Sequence, residues 1–224
     1  MAARRHDEEP PGGYNRARPL GNATEFMQHR AMRIIRSGDY RRMPWKNGGG
    51  ETVEIAISPA GASLDDFDWR VSMARVASSG PFSRFPGVDR TLAVLAGSGV
   101  RLRIAGHGIV SLGRDAPPFV FSGDDPATAK LIDGPIDDFN VMTRRATCRH
   151  RLACIPAERT VQLRREDDLL LVMVREAAAT ARLANEEHAL TAGDTLLLDR
   201  KDEPRLEIVP TAPALLYVVE IRRV

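Results

Sequence analysis

The chain has 224 residues, 43% hydrophobic and 28% charged, with 32 basic residues against 30 acidic ones and a formal net charge of +2. Basic and acidic residues are interleaved, which excludes a broad electrostatic footprint for nucleic acid. The longest apolar run, Leu169 to Val174, is too short to span a bilayer, and the N-terminus lacks the apolar core of a secretory signal, so a cytoplasmic protein with free Cys148 and Cys154 thiols is expected.

The 18 glycines and 15 prolines imply many short elements divided by turns, which suits an all-β protein. Residues 1–31 carry Pro10-Pro11-Gly12-Gly13 and no apolar period, and read as a disordered N-terminal extension. A first strand is expected at Met32-Arg33-Ile34-Ile35. Period-two alternation then puts Val53, Ile55 and Ile57 on one strand face and Thr52, Glu54 and Ser58 on the other. The same period sets Trp69, Val71 and Met73 against Arg70 and Ser72. A turn-rich loop from Gly80 to Arg90 leads into Thr91 to Leu95, and Gly97 to Gly99 form a hairpin turn. Val100, Leu102 and Ile104 alternate with Arg101 and Arg103 on the returning strand. Further strands are expected around Phe119 to Phe121 and from Asp138 to Arg144, where Asp138, Asn140, Met142 and Arg144 share a face.

The second half repeats this order loosely: strands at Leu169 to Val174 and Ala181 to Ala184, a Gly193-Asp194 turn inside Ala189 to Leu198, and closing strands at Leu206 to Val209 and Leu215 to Glu220. Two related units, 32–145 and 146–224, with strands shared between them, fit a bicupin of two packed cupin-like β-barrels. Closure of each barrel would remove exposed sheet edges and leave an interior that can hold a small ligand.

The chemistry gathers around Trp45-Lys46-Asn47-Gly48-Gly49-Gly50-Glu51-Thr52. Such a glycine run either turns its N–H groups into a concave anion nest or makes a tight turn between strands. It is not a nucleotide P-loop, because the lysine precedes the glycines. Lys46, Asn47, Arg70, Ser72, Arg90, Asp138, Asn140, Arg144 and Arg145 form a polar and cationic set on strands or strand ends. An arginine fork beside Lys46 suits a small carboxylate. The five histidines, His6, His29, His107, His150 and His188, never fall within three residues of one another, so no metal site and no cofactor are expected. No pair of amphipathic helices suggests direct DNA binding. Glu51, Glu54, Asp89 and Asp138 are the titratable groups that an enzyme acting on a small acid would use.

On these residues the chain resembles the HutD/Ves family. The resemblance is carried by Trp45 to Gly50 with Thr52 and Glu54, by Phe67-Asp68-Trp69-Arg70-Val71-Ser72, and by Gly80-Pro81-Phe82-Ser83 with Phe85 to Arg90. It continues through Phe121-Ser122-Gly123-Asp124 and Gly134-Pro135 to Asp138-Phe139-Asn140-Val141-Met142 with Arg144-Arg145. It implies a bicupin without metal-ligand histidines that senses an acidic intermediate such as urocanate or formylglutamate and so modulates histidine utilisation. The ligand-binding set carried over is Trp45, Lys46, Asn47, Gly48, Gly49, Arg70, Ser72, Arg90 and Asn140. A metal-independent cupin enzyme and a stress-induced protein of the Ves branch stay open as alternatives, and a homodimer is compatible with either.

Overall fold

The structure, a computed structural model, describes residues 32–45 and 48–224. The 1–31 extension, Lys46 and Asn47 lie outside the described residues. Alternating apolar and polar side chains make nearly every described element a strand. In chain order these are β1 (Arg33–Ile35), β2 (Arg41–Pro44), β3 (Gly50–Ser58), β4 (Trp69–Val76), β5 (Gly80–Pro81), β6 (Val88–Ala96), β7 (Val100–Ile104), β8 (Gly108–Leu112), β9 (Phe119–Ser122), β10 (Ala127–Leu131) and β11 (Ile136–Arg144). They continue with β12 (Cys148–Ala157), β13 (Val161–Arg164), β14 (Leu169–Arg175), β15 (Ala179–Leu183), β16 (Glu186–Leu190), β17 (Thr195–Asp199), β18 (Arg205–Pro210) and β19 (Ala214–Arg223). No described helix is long and apolar enough to cross a membrane.

The strands form four sheets, ordered β2-β3-β4-β11-β6-β9, β5-β10-β7-β8, β1-β17-β14-β19-β12 and β13-β18-β15-β16. The second pair repeats the first strand for strand: β4-β11-β6-β9 becomes β12-β19-β14-β17, and β5-β10-β7-β8 becomes β13-β18-β15-β16. The sheets are open, each ending in two edge strands. The interiors are therefore sealed by one sheet lying on another, and not by the barrel closure that the sequence suggested.

Three apolar layers hold the sheets together. Leu92, Val94, Leu102, Ile104, Phe121 and Ile136 fill the first pair, and Leu170, Val172, Leu183, Leu198, Ile208 and Leu216 fill the second. Between the pairs, Trp69, Val71, Phe139 and Val141 of the six-stranded sheet meet Leu171, Met173, Tyr217 and Val219 of the five-stranded one. His150 on β12 lies at this junction. Its ring nitrogens hydrogen-bond the Thr143 and Thr91 hydroxyls, each at 2.7 Å. Burial lowers its pKa to about 4, so the ring is neutral and counts as an inward-facing residue.

One predicted alternation fails partway. β3 faces β4 with Val53 opposite Met73 and Glu54 opposite Ser72, but the register then shifts so that Ala56 meets Val71 and Ile57 meets Arg70. A bulge inserts one residue and flips every later side chain to the other face. Ile57 therefore leaves the side of Val53 and packs with Phe67, Val88 and Met142. The alternations on β4, β7 and β11 hold as expected.

The strand at 33–35 pairs with β17, inside the sheet of the second half. A clasp follows it. Asp194 accepts hydrogen bonds from Arg36 Nη1 at 2.8 Å and Ser37 N at 2.9 Å, and the Tyr40 hydroxyl bonds Gly193 O and Thr195 Oγ1 at 2.5 and 2.7 Å.

Candidate functional site

The inner face of the six-stranded sheet carries more polar groups than a core tolerates. β4 contributes Arg70 and Ser72, β6 contributes Arg90, and β11 contributes Asp138 and Asn140, all on the side away from the inter-sheet layer of Trp69 and Val71. With Met43, Trp45, Thr52, Phe82 and Phe85 at the margin, they line a cavity of about 580 Å³. That volume suits a small molecule.

Arg90 is 5% exposed. Its guanidinium carbon lies 5.4, 5.5 and 5.0 Å from the ring centroids of Phe82, Phe85 and Phe121, a cage that favours a cation without neutralising it. Nη1 donates to Ser83 O at 3.3 Å, and Nε has no partner among the described residues. Burial lowers its pKa to about 10, with Asp138 opposing that shift and Arg70 adding to it. Asp138 mirrors this. Burial raises its carboxyl from 3.8 to about 7, although Arg90 and the Ala74 N–H pull the other way. Among the described residues its Oδ1 has no partner, and neither does Asn140 Oδ1. Arg70 is satisfied differently, through a buried ion pair in which Nε meets Glu54 Oε2 at 2.7 Å.

A second ion-pair group braces the cage from outside. Arg145 bonds Asp89 at 2.6 Å and also pairs with Asp124, whose Oδ1 accepts the Gly87 N–H at 2.9 Å. Those contacts hold Asp124 down at about 2. They fix the loop that carries Phe85. Asp89 thus pairs with Arg145 and not with its neighbour Arg90. Arg144 reaches away to the Phe67 and Asp65 carbonyls.

The structure brings Trp45, Arg70, Ser72, Arg90 and Asn140 together around one cavity. Gly48 and Gly49 are not among its lining residues, and Lys46 and Asn47 lie outside the described residues. The glycine run is the β2–β3 turn: Gly48 N donates to Trp45 O, Trp45 N to Gly50 O and Ala77 N to Gly49 O, and Gly48 adopts φ +68°. Gly50 matters through close approach. A Cβ there would stand 2.2 Å from Arg75 O and 3.1 Å from the Trp45 ring, whose Nε1 bonds Thr52 Oγ1 at 2.8 Å. Gly50→Ala should cost about 1–3 kcal/mol through overpacking, read as a lower urea midpoint; an unchanged midpoint would mean that ring and strand yield freely.

Glu54 and Asp138, named from sequence as titratable groups but not in the ligand-binding set, complete the site together with the three phenylalanines. Asp138 was legible as a neighbour of Asn140 two positions along one strand face. The cage was not, because its rings come from two segments far apart in the chain, the β5–β6 loop and β9. Among the described residues, no three His, Cys, Asp or Glu side chains are placed to hold a metal ion. A smaller cavity of about 360 Å³ in the second half is lined by Arg149, His150, Arg151, Asp167 and Arg222. Its arginines are exposed, and both His150 nitrogens are engaged. The inner face of β19, counterpart of β11, presents Leu216 and Val218 to an apolar core.

Relatives agree with this fold. The family model described as HutD matches residues 37–216. An uncharacterized 21.2 kDa protein in the hutC 3' region of Pseudomonas putida is 37% identical over 173 residues, 77% of this chain and 89% of that protein. Protein Ves of Cronobacter sakazakii is 44% identical over 115 residues, 50% of this chain and 61% of Ves. The solved structure of HutD from Pseudomonas fluorescens SBW25 is 34% identical, with a TM-score of 0.70 over 87% of this chain and 100% of that one. Oxalate decarboxylase of Lactobacillus farciminis, 8% identical with a TM-score of 0.62, shares the cupin-like fold alone. By the extent of the family match and the identity along most of the Pseudomonas putida protein, the chain belongs to the HutD family.

Proposed function

We propose that this protein binds a small acidic metabolite, such as urocanate or formylglutamate, in the cavity of its first half and thereby modulates bacterial histidine utilisation in the cytoplasm. One observation carries the reading: three of the buried side-chain atoms without a partner among the described residues, Arg90 Nε, Asp138 Oδ1 and Asn140 Oδ1, belong to residues that line a single cavity. Buried polar groups are nearly always paired, and a ligand that supplies the missing partners recovers the cost of leaving them bare. Arg90 is the anion's natural contact, since its charge is offset only by ring faces and by Asp138 at a distance. The relative in the hutC 3' region supports the link to histidine utilisation. In this reading the two sheet pairs are the cupin-like units of a bicupin, 32–145 and 146–224 with β1 shared, and the second unit is scaffold.

The test is a thermal-shift series with urocanate, formylglutamate, glutamate and histidine on the wild type and on Arg90→Met, which keeps the bulk inside the cage and removes the charge. A ligand at about a hundred times its Kd stabilises by roughly 2.7 kcal/mol. The shift should be present in the wild type and absent in the variant, whose unliganded stability should be equal or higher because a buried cation is gone. No shift with any acid, or one that survives Arg90→Met, would overturn the reading.

Asp138 favours a second reading, as an enzyme acting on the same acids. A carboxyl held at about 7 beside a cation is matched to proton transfer near neutral pH. Product formation from one of these acids, abolished by Asp138→Asn, would establish it.

A further inference from the structure

We propose that Asp138, assisted by Asn140, makes the cavity selective: among small carboxylates it accepts those that also carry an N–H donor and refuses acids of the same shape that lack one. This rests on the ligand-binding reading above and goes beyond it by assigning the second half of the recognition.

The two kinds of unpaired group in the cavity ask for opposite things. Arg90 Nε is a donor and needs an acceptor, which a ligand carboxylate provides. Asp138 Oδ1 and Asn140 Oδ1 are acceptors and need donors, which a carboxylate cannot provide. The described residues offer Asp138 Oδ1 no donor. The Ala74 N–H reaches the carboxyl group but leaves Oδ1 bare, and Arg90 acts on it only through space. Asn140 can rotate its amide to turn NH₂ or oxygen toward a ligand, whereas an ionised Asp138 has acceptors alone. The aspartate therefore sets the rule.

Asp138 is 2% exposed and faces the cavity from the same strand side as Asn140. A ligand that filled the cavity and brought no donor would leave this already buried oxygen without a partner in the bound state too. Sites built around a buried hydrogen-bonding group reject the analogue that cannot make the bond far more strongly than sites that read shape alone.

Calorimetry on the full chain at pH 8, where Asp138 is mostly ionised, tests this with matched probes. Urocanate is compared with 3-(2-furyl)acrylate, whose ring oxygen replaces a ring N–H, and formylglutamate with 2-(formyloxy)glutarate, whose ester oxygen replaces the amide N–H. The wild type should bind the N–H acid of at least one pair about ten- to a hundredfold more tightly than its partner. In Asp138→Asn the ratio for that pair should shrink to within about threefold, because the new amide can turn a donor toward the furan oxygen or leave the site neutral. Equal wild-type affinity within both pairs would overturn the selectivity while leaving the carboxylate reading intact. Absence of binding by all four acids would overturn both. Should the variant fail to fold, the wild-type ratios decide.

Discussion

Replacing Glu54 by alanine should destabilise the protein by about 3–5 kcal/mol, the cost of leaving a buried arginine without its counter-charge. Arg70 and Glu54 are 6% and 8% exposed, and their 2.7 Å contact lies under the cavity floor. Once the carboxylate is gone, Arg70 has no other acid among the described residues in its hydrogen-bonding shell, and it faces the charge of Arg90 across the same interior. The loss comes from the stranded charge more than from the broken bond. A double variant, Glu54→Leu with Arg70→Met, should therefore recover most of it. Urea denaturation of the two variants measures the difference, and unchanged m-values would confirm that only stability has moved. A loss below about 1 kcal/mol for the single variant would mean that water already solvates the pair.

The second large effect has the opposite sign and depends on pH. Asp138 titrates at about 7 in the folded chain and near 3.8 when unfolded, so between those values the folded state holds a proton that the unfolded state has lost. Its contribution to stability is most favourable below pH 4, falls as pH rises toward 7, and stays low above that. A shift of this size corresponds to about 4 kcal/mol. Asp138→Asn, which is neutral at every pH, should match the wild type near pH 4 and exceed its stability by up to that amount at pH 8. Denaturation at the two pH values decides it; a variant equally stable or weaker at pH 8 would show that Asp138 is paired after all. With Arg90→Met, this variant describes a site kept at the expense of stability, which is the behaviour of a functional pocket.

Much of this was legible in the chain. Arg70, Ser72 and Asn140 fall on one strand face by simple alternation, and the two strands carrying them are hydrogen-bonded neighbours with Ser72 opposite Asn140. What alternation could not show was the bulge between Glu54 and Ala56, because no glycine or proline marks it there and the register shift is seen only against β4. β12 escaped notice for another reason. Its Cys148, His150 and Leu152 do alternate with arginines and alanine, but a histidine reads as inward-facing only once burial is known to keep it neutral and two threonines to engage its nitrogens. The phenylalanine cage is tertiary by construction. Phe82, Phe85 and Phe121 meet over Arg90 only when the loop after β5 folds back on β9, a closure fixed by Gly123, where a Cβ would come within 2.7 Å of Phe85 O.

Strand β1 belongs to a sheet whose remaining members follow far later in the chain. On the ribosome it emerges first and waits for β17, on the order of ten seconds at roughly 5–20 residues per second. The sheets made from β2 to β11 can assemble meanwhile, since every strand they contain has already been synthesised. They would stand with Trp69, Val71, Phe139 and Val141 bare until β14 and β19 arrive to cover them. The nascent first half is thus a sticky intermediate with a defined apolar face, and a chain interrupted before β12 should be a substrate for chaperones and proteases.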